Sequence, residues 1–143
     1  MVRPALPPNV SGQRVRVALL EARPAGLHMP HLVMATELSR SQVRRGIVYL
    51  RDTAAELGLT PLIWDRMNGY RFSSDPEDWV AYELRSFRKE MTAIRRIVTG
   101  CVIPHSLLRP DDEDVKLMLG QLTGVESGFE YLIRQLERTR KTA

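Results

Sequence analysis

Two runs of apolar residues in the second half of the chain restrict its fold more than any other feature. Val80, Leu84, Phe87, Met91, Ile94, Val98 and Cys101 follow one another at alternating spacings of four and three. After the interruption IPHSLLRP the rhythm resumes through Val115, Met118, Leu122, Val125, Phe129, Leu132 and Leu136. Such spacing draws one apolar seam along each of two helices, and a short connection makes them a helical hairpin. A lone hairpin leaves Trp79, Ile97, Leu117, Leu119, Tyr131 and Ile133 too little cover, so the seams are expected to pack against a second copy, forming a homodimer. Packing of the hairpin within its own chain is the competing reading. Gly120, Gly124 and Gly128 each cost a helix about 1 kcal/mol relative to alanine. They imply either a close helix contact along their stripe or a break in the helix.

The first half has shorter periods. Residues 1–10, MVRPALPPNV, hold three prolines and no periodicity, and are expected to form a flexible arm bearing Arg3 and ending where Ser11 caps a helix. Val15, Leu19 and Ala22 mark the apolar stripe of that helix, which stops by Pro24 and Gly26. Pro30 suits the first turn of a second helix, in which Leu32, Met34, Ala35 and Leu38 can face a core. Ser39 then caps a third helix with Val43, Ile47, Leu50 and Ala54 on one face and Arg40, Ser41, Arg44, Arg45, Val48 and Arg51 on the others, ending at Gly58. Around Asn68-Gly69 the β-favouring residues of LIWDRMNGYRF predict a hairpin. A three-residue Met67-Asn68-Gly69 loop would pair Trp64 with Phe72, Arg66 with Tyr70 and Asp65 with Arg71, which keeps the aromatics on one face.

Charge separates the halves. Through Ser74 the chain carries ten arginines, no lysine and five acids, a net +5, whereas the remainder carries eleven basic and twelve acidic residues, a net −1. A basic half beside a neutral one points to a polyanionic partner for that half, with nucleic acid the leading candidate.

The order of elements, with ATELSRSQVRRGIVYL followed by MNGYRF, resembles the winged helix-turn-helix family of DNA-binding domains, of the bacterial or phage transcriptional-regulator type. The resemblance covers roughly residues 11–74. It implies an N-terminal winged helix-turn-helix at 11–75; with the C-terminal heptad-patterned helical hairpin read from the two seams at 76–140, the expected fold is mostly α with a small β-wing. It also implies that the second helix of the motif enters the major groove while the wing touches the DNA backbone or minor groove. Carried onto this chain, the DNA-contacting positions are Ser39, Arg40, Ser41, Gln42, Arg44 and Arg45, with Arg66, Asn68 and Arg71 in the wing. Arg44, Arg45 and Gln42 would reach bases, and Ser39, Arg40, Arg66 and Arg71 phosphates. The expected function is sequence-specific binding of double-stranded DNA by a homodimeric transcriptional regulator, repressing by occlusion. Two alternatives stay open: a DNA-binding accessory protein for replication, partition or recombination, and a winged-helix protein-interaction module that binds no DNA.

No phosphate-binding glycine loop, His-Glu-x-x-His or Gly-x-Ser-x-Gly motif occurs in the sequence, so no enzyme activity and no cofactor are expected. His28 with His31 and Cys101 with His105 enclose Pro30 and Pro104 and belong to no four-ligand set, so no metal is expected. Asp111 to Asp114 are read as a helix start, and Trp64 and Trp79 as core or seam residues. One cysteine, no long apolar run and no signal-peptide pattern lead to an expected cytoplasmic, nucleoid-associated location.

Overall fold

The computed structural model describes residues 5–141; Arg3 and the rest of residues 1–4 lie outside them. The described residues are mostly helical with one two-stranded antiparallel sheet, and the chain divides into two compact units after Tyr82.

In the first unit α1 (Pro8–Ala22) begins at a proline rather than behind Ser11. Proline is suited to that place, because its fixed φ is already helical and its missing N–H would have had no partner. Ser11 is therefore no cap. It is almost fully buried within the helix, since α3 (Arg40–Thr53) crosses α1 there at close range. A β-carbon on Gly46 would lie 2.9 Å from the Ser11 carbonyl, so glycine is what lets the two backbones meet. Val15, Ala18 and Leu19 of α1 join Val43, Ile47 and Leu50 of α3 in the core.

Between them, α2 (Met29–Thr36) contributes Leu32, which is fully buried. Met34 and Ala35, expected inward, face solvent, because the inward side of α2 is taken by Leu32 and Thr36, flanked by Met29 and Val33. The Thr36 hydroxyl donates to the Leu32 carbonyl at 2.5 Å, and Leu38 follows into the core. Glu37, between α2 and Leu38, has φ 57°. A β-carbon is disfavoured in that left-handed region by about 1–2 kcal/mol. Glu37→Gly is therefore expected to raise stability by about 1 kcal/mol, read as a higher urea midpoint at unchanged slope.

After Thr53 the chain keeps turning to Gly58, where Leu59 N–H donates to the Ala54 carbonyl at 2.9 Å and Gly58 N–H to that of Ala55 at 3.2 Å. That pair of bonds is a Schellman closure, with Gly58 at the left-handed position. It delivers the chain to β1 (Leu62–Asp65), which pairs with β2 (Gly69–Phe72).

The register differs from the expected one. Trp64 pairs with Tyr70, Leu62 with Phe72 and Asp65 with Gly69, so the loop is Arg66-Met67-Asn68. Two contacts select it. The Asp65 carboxylate accepts the Asn68 N–H at 2.8 Å and closes the turn. On the far side of β2, Leu27 and Tyr70 exchange backbone hydrogen bonds at 2.8 and 2.9 Å. Leu27, between α1 and α2, thus supplies a one-residue third strand. Trp64, expected in the core, is 41% exposed on the hairpin.

The division after Tyr82 falls inside α4 (Pro76–Ile97), a few residues beyond the 75/76 boundary expected from sequence. The first turns of α4 are tied to the sheet: Trp79 Nε1–H donates to the Ser73 carbonyl at 2.7 Å, and the Ser73 hydroxyl to Asp78 at 2.6 Å.

In the second unit, α4 passes through a π-helical turn (Val98–Val102) into α5 (Ile103–Leu108) and then α6 (Glu113–Lys141). Arg88 pairs with Glu137, and Arg95 with Glu126 at 2.7 Å, so residue numbers fall along α6 as they rise along α4, and the two helices are antiparallel. The Phe87 and Phe129 rings stand 6.0 Å apart, and Leu84, Val98 and Val115 are buried. These seam residues meet within one chain. Two expectations fail locally. Cys101 is exposed and Val102, four residues beyond buried Val98, takes the inward place, with the wider π turn rotating Cys101 away from the seam. On α6, Ile133 is buried while Met118, Val125 and Leu132 lie along an exposed edge.

The Asp111–Asp114 run does start a helix: Asp112 caps α6 by accepting the Asp114 N–H at 2.9 Å, and its other oxygen meets His105 Nε2 at 3.0 Å. The His105 hydrogen bond, joined by those from the Asp114 and Val115 backbone, holds the Asp112 carboxyl below its ordinary value of 3.8. Among the described residues no helix is long and apolar enough to cross a membrane.

Candidate nucleic-acid interface

The candidate surface is built on the outward face of α3. Ser39 and Gln42 form a capping box at its start: the Ser39 hydroxyl accepts the Gln42 N–H at 3.2 Å, and the Gln42 amide oxygen accepts the Ser39 N–H at 2.9 Å. With Val43, Gly46, Ile47 and Leu50 buried against α1, the rotation of α3 about its axis is fixed. The opposite face then presents Arg40, Ser41, Arg44, Arg45 and Val48, all exposed.

This face is electrostatically costly. The positive end of the helix macrodipole disfavours cations in the first turn by about 0.3–1 kcal/mol each. Like charges four apart, as at Arg40 and Arg44, cost a few tenths more. The first turn of α3 holds no acid to offset this. Among the described residues no carboxylate pairs with Arg40, Arg44, Arg45 or Arg66. Their guanidinium groups, each a planar fork of five N–H donors, are open to phosphate oxygens or to a guanine edge.

The other sequence-derived positions are already engaged. The Ser39 hydroxyl and the Gln42 amide oxygen hold the helix start. Asn68 Nδ2 donates to both Asp65 oxygens at 3.1 and 3.2 Å. Arg71 is partly buried between two carboxylates, with Asp65 at 3.6 Å and Asp78 at 3.4 Å. The register leaves Arg71 diagonal to Asp65 and beside the first turn of α4, which places its guanidinium between the two acids. Arg66 sits at the exposed tip, its carbonyl accepting from His28 Nε2 at 3.1 Å.

Sequence reasoning missed Arg51. Its guanidinium lies 5.8 Å from the Tyr70 ring centre and 5.5 Å from that of Tyr82, and donates to the Leu62 carbonyl at 3.3 and 3.4 Å. It therefore fastens α3 to the sheet and to the start of α4. Its place in the last turn of α3, apart from the cluster in the first two turns, was the available signal.

Asp65 organises the hairpin tip. Burial pushes its carboxyl up, but hydrogen bonds from the Asn68 backbone and side chain, the charge of Arg71 and the Met67 N–H together outweigh this and hold it below 3.8. A carboxylate with a lowered folded pKa contributes stability that is complete above its unfolded value and disappears as pH falls through the folded one. Asp65→Asn is therefore expected to lose stability at neutral pH and to flatten the acid limb below about pH 4, compared by urea titration at pH 7 and about pH 3.

No family model, no curated protein and no solved structure matches the chain.

Proposed function

We propose that the protein is a sequence-specific, double-stranded-DNA-binding transcriptional regulator that acts as a homodimer. In this reading the first unit is a winged helix-turn-helix, α3 enters the major groove, and the β1–β2 hairpin is the wing. The observation that carries it is the row Arg40, Ser41, Arg44 and Arg45, exposed on a helix of fixed orientation, costly where it stands and without an intrachain carboxylate among the described residues.

Arg44 and Arg45 are the base-reading candidates, with Ser41 beside them. Arg40 and the wing-tip Arg66 take phosphate. Ser39 and Gln42 set the start of the helix, and Asn68 and Arg71 shape the wing. A bound dimer would repress by occluding polymerase, its two reading helices about one turn of duplex apart.

The test is fluorescence anisotropy on two labelled duplexes, one from the DNA flanking the protein's own gene and one scrambled, at two salt concentrations. Expected is tighter binding to the native duplex, with affinity for both falling steeply as salt rises. Absence of duplex binding at low salt would remove the reading.

A further inference from the structure

The second unit has two unlike outer surfaces. That of α4 is charged, with Glu83, Lys89, Glu90 and Arg96 exposed. That of α6 is not: between Leu117 and Gln135 a sector about 140° wide, at 100° per residue, carries no charged side chain. Leu117, Met118, Val125, Tyr131 and Leu132 are exposed in it, Leu117 and Tyr131 to nearly two thirds. They form two columns of period seven, Met118-Val125-Leu132 and Leu117-Gly124-Tyr131, and such columns drift by only about 20° per heptad, so each stays on one side of the helix. Gly124 and Gly128 lie in the same sector, and a β-carbon on either would meet nothing within 4 Å. Their cost to the helix therefore has no intrachain return.

We infer that this sector of α6 is covered by α6 of a second copy, antiparallel to it, about a two-fold axis beside Gly124 and Val125. The inference deepens the homodimer reading above and rests on it. Charge favours this occupant and this direction. The first turn of α6 bears Glu113 and Asp114 and its last turn Arg138, Arg140 and Lys141, so antiparallel copies bring acidic ends toward basic ends and oppose their macrodipoles, whereas parallel copies align like charges. The columns are self-complementary in the same register. Met118 meets Leu132 of the second copy, Leu117 meets its Tyr131, and Gly124 faces Gly124, where the absent side chains admit the two backbones.

The test uses the full chain with Cys101→Ser and one new cysteine at a time. Sedimentation of the wild type at micromolar concentration is expected to give a dimer. On mild oxidation Val125→Cys is expected to form a disulfide with itself, and Met118→Cys and Leu132→Cys to cross-link when mixed but not alone. Val125→Arg is expected to be monomeric, with an unchanged helical circular dichroism spectrum. If Met118→Cys and Leu132→Cys each couple to themselves, the copies are parallel and the proposed direction is wrong. A dimer that ignores Val125→Arg and forms no Val125→Cys disulfide would overturn this interface while leaving the homodimer standing. A monomeric wild type would overturn both.

Discussion

Replacing Arg44 and Arg45 together with alanine is expected to weaken binding to the native duplex by at least roughly 30-fold per half-site. A bidentate arginine–base contact contributes about 1–3 kcal/mol of discrimination, so two such contacts sum to about 2–6 kcal/mol. Binding to the scrambled duplex should fall less, and the preference between duplexes should largely vanish. The fold should not suffer, because both side chains are exposed and their removal relieves repulsion near the positive end of α3. Anisotropy titrations of wild type and variant on both duplexes, with a thermal melt of each, separate these effects. An unchanged native-duplex affinity would show that α3 does not read the groove. Arg66→Ala supplies the contrast: it should lower affinity for both duplexes alike and reduce the salt slope by about 0.9 for each phosphate that is no longer neutralised.

Gly69→Val is expected to be the most damaging single change for stability, by about 3 kcal/mol or more. Gly69 has φ 72°, where a β-branched side chain is a true outlier. A β-carbon there would also stand 2.6 Å from the Leu27 carbonyl oxygen and 2.8 Å from the His28 nitrogen. The left-handed penalty is about 1–2 kcal/mol, and overpacking against backbone adds about 1–3 kcal/mol. Because the clash falls on the Leu27–Tyr70 bridge, amide exchange at both residues should accelerate well beyond that at Leu50 in the core. A urea midpoint within experimental error of wild type would contradict the register described above.

What could be read in advance followed the range of the forces involved. The start of α3 was legible because a capping box is local chemistry, written in Ser39 and the three residues after it. The inward faces of α1 and α3 were legible because helical periodicity is local too. The hairpin's existence followed from Asn68-Gly69, but its register did not: pairing is selected by Leu27, some forty positions upstream, through backbone atoms that leave no mark on side-chain pattern. Ser11 was misread for the same reason. A serine before an apolar stripe looks like a cap until another helix, through its Gly46, packs against the backbone there and buries it. Within the candidate interface, Arg40, Ser41, Arg44 and Arg45 could be placed from helix phase alone. Arg71 could not, because its exposure depends on a strand register and on Asp78 in the following helix.

The π-helical turn at Val98–Val102 has a chemical consequence of its own. Free cysteine is among the residue types most often withdrawn from water, and a regular α-helix would have held Cys101 about 60° from Val98, on the flank of the seam. The wider π turn carries Cys101 further round the helix, away from the seam that Val98 and Val102 occupy, and leaves it exposed. A backbone irregularity, rather than any preference of sulfur, thus gives the molecule a single addressable thiol. A spin label or fluorophore can be attached there without opening the packed interior.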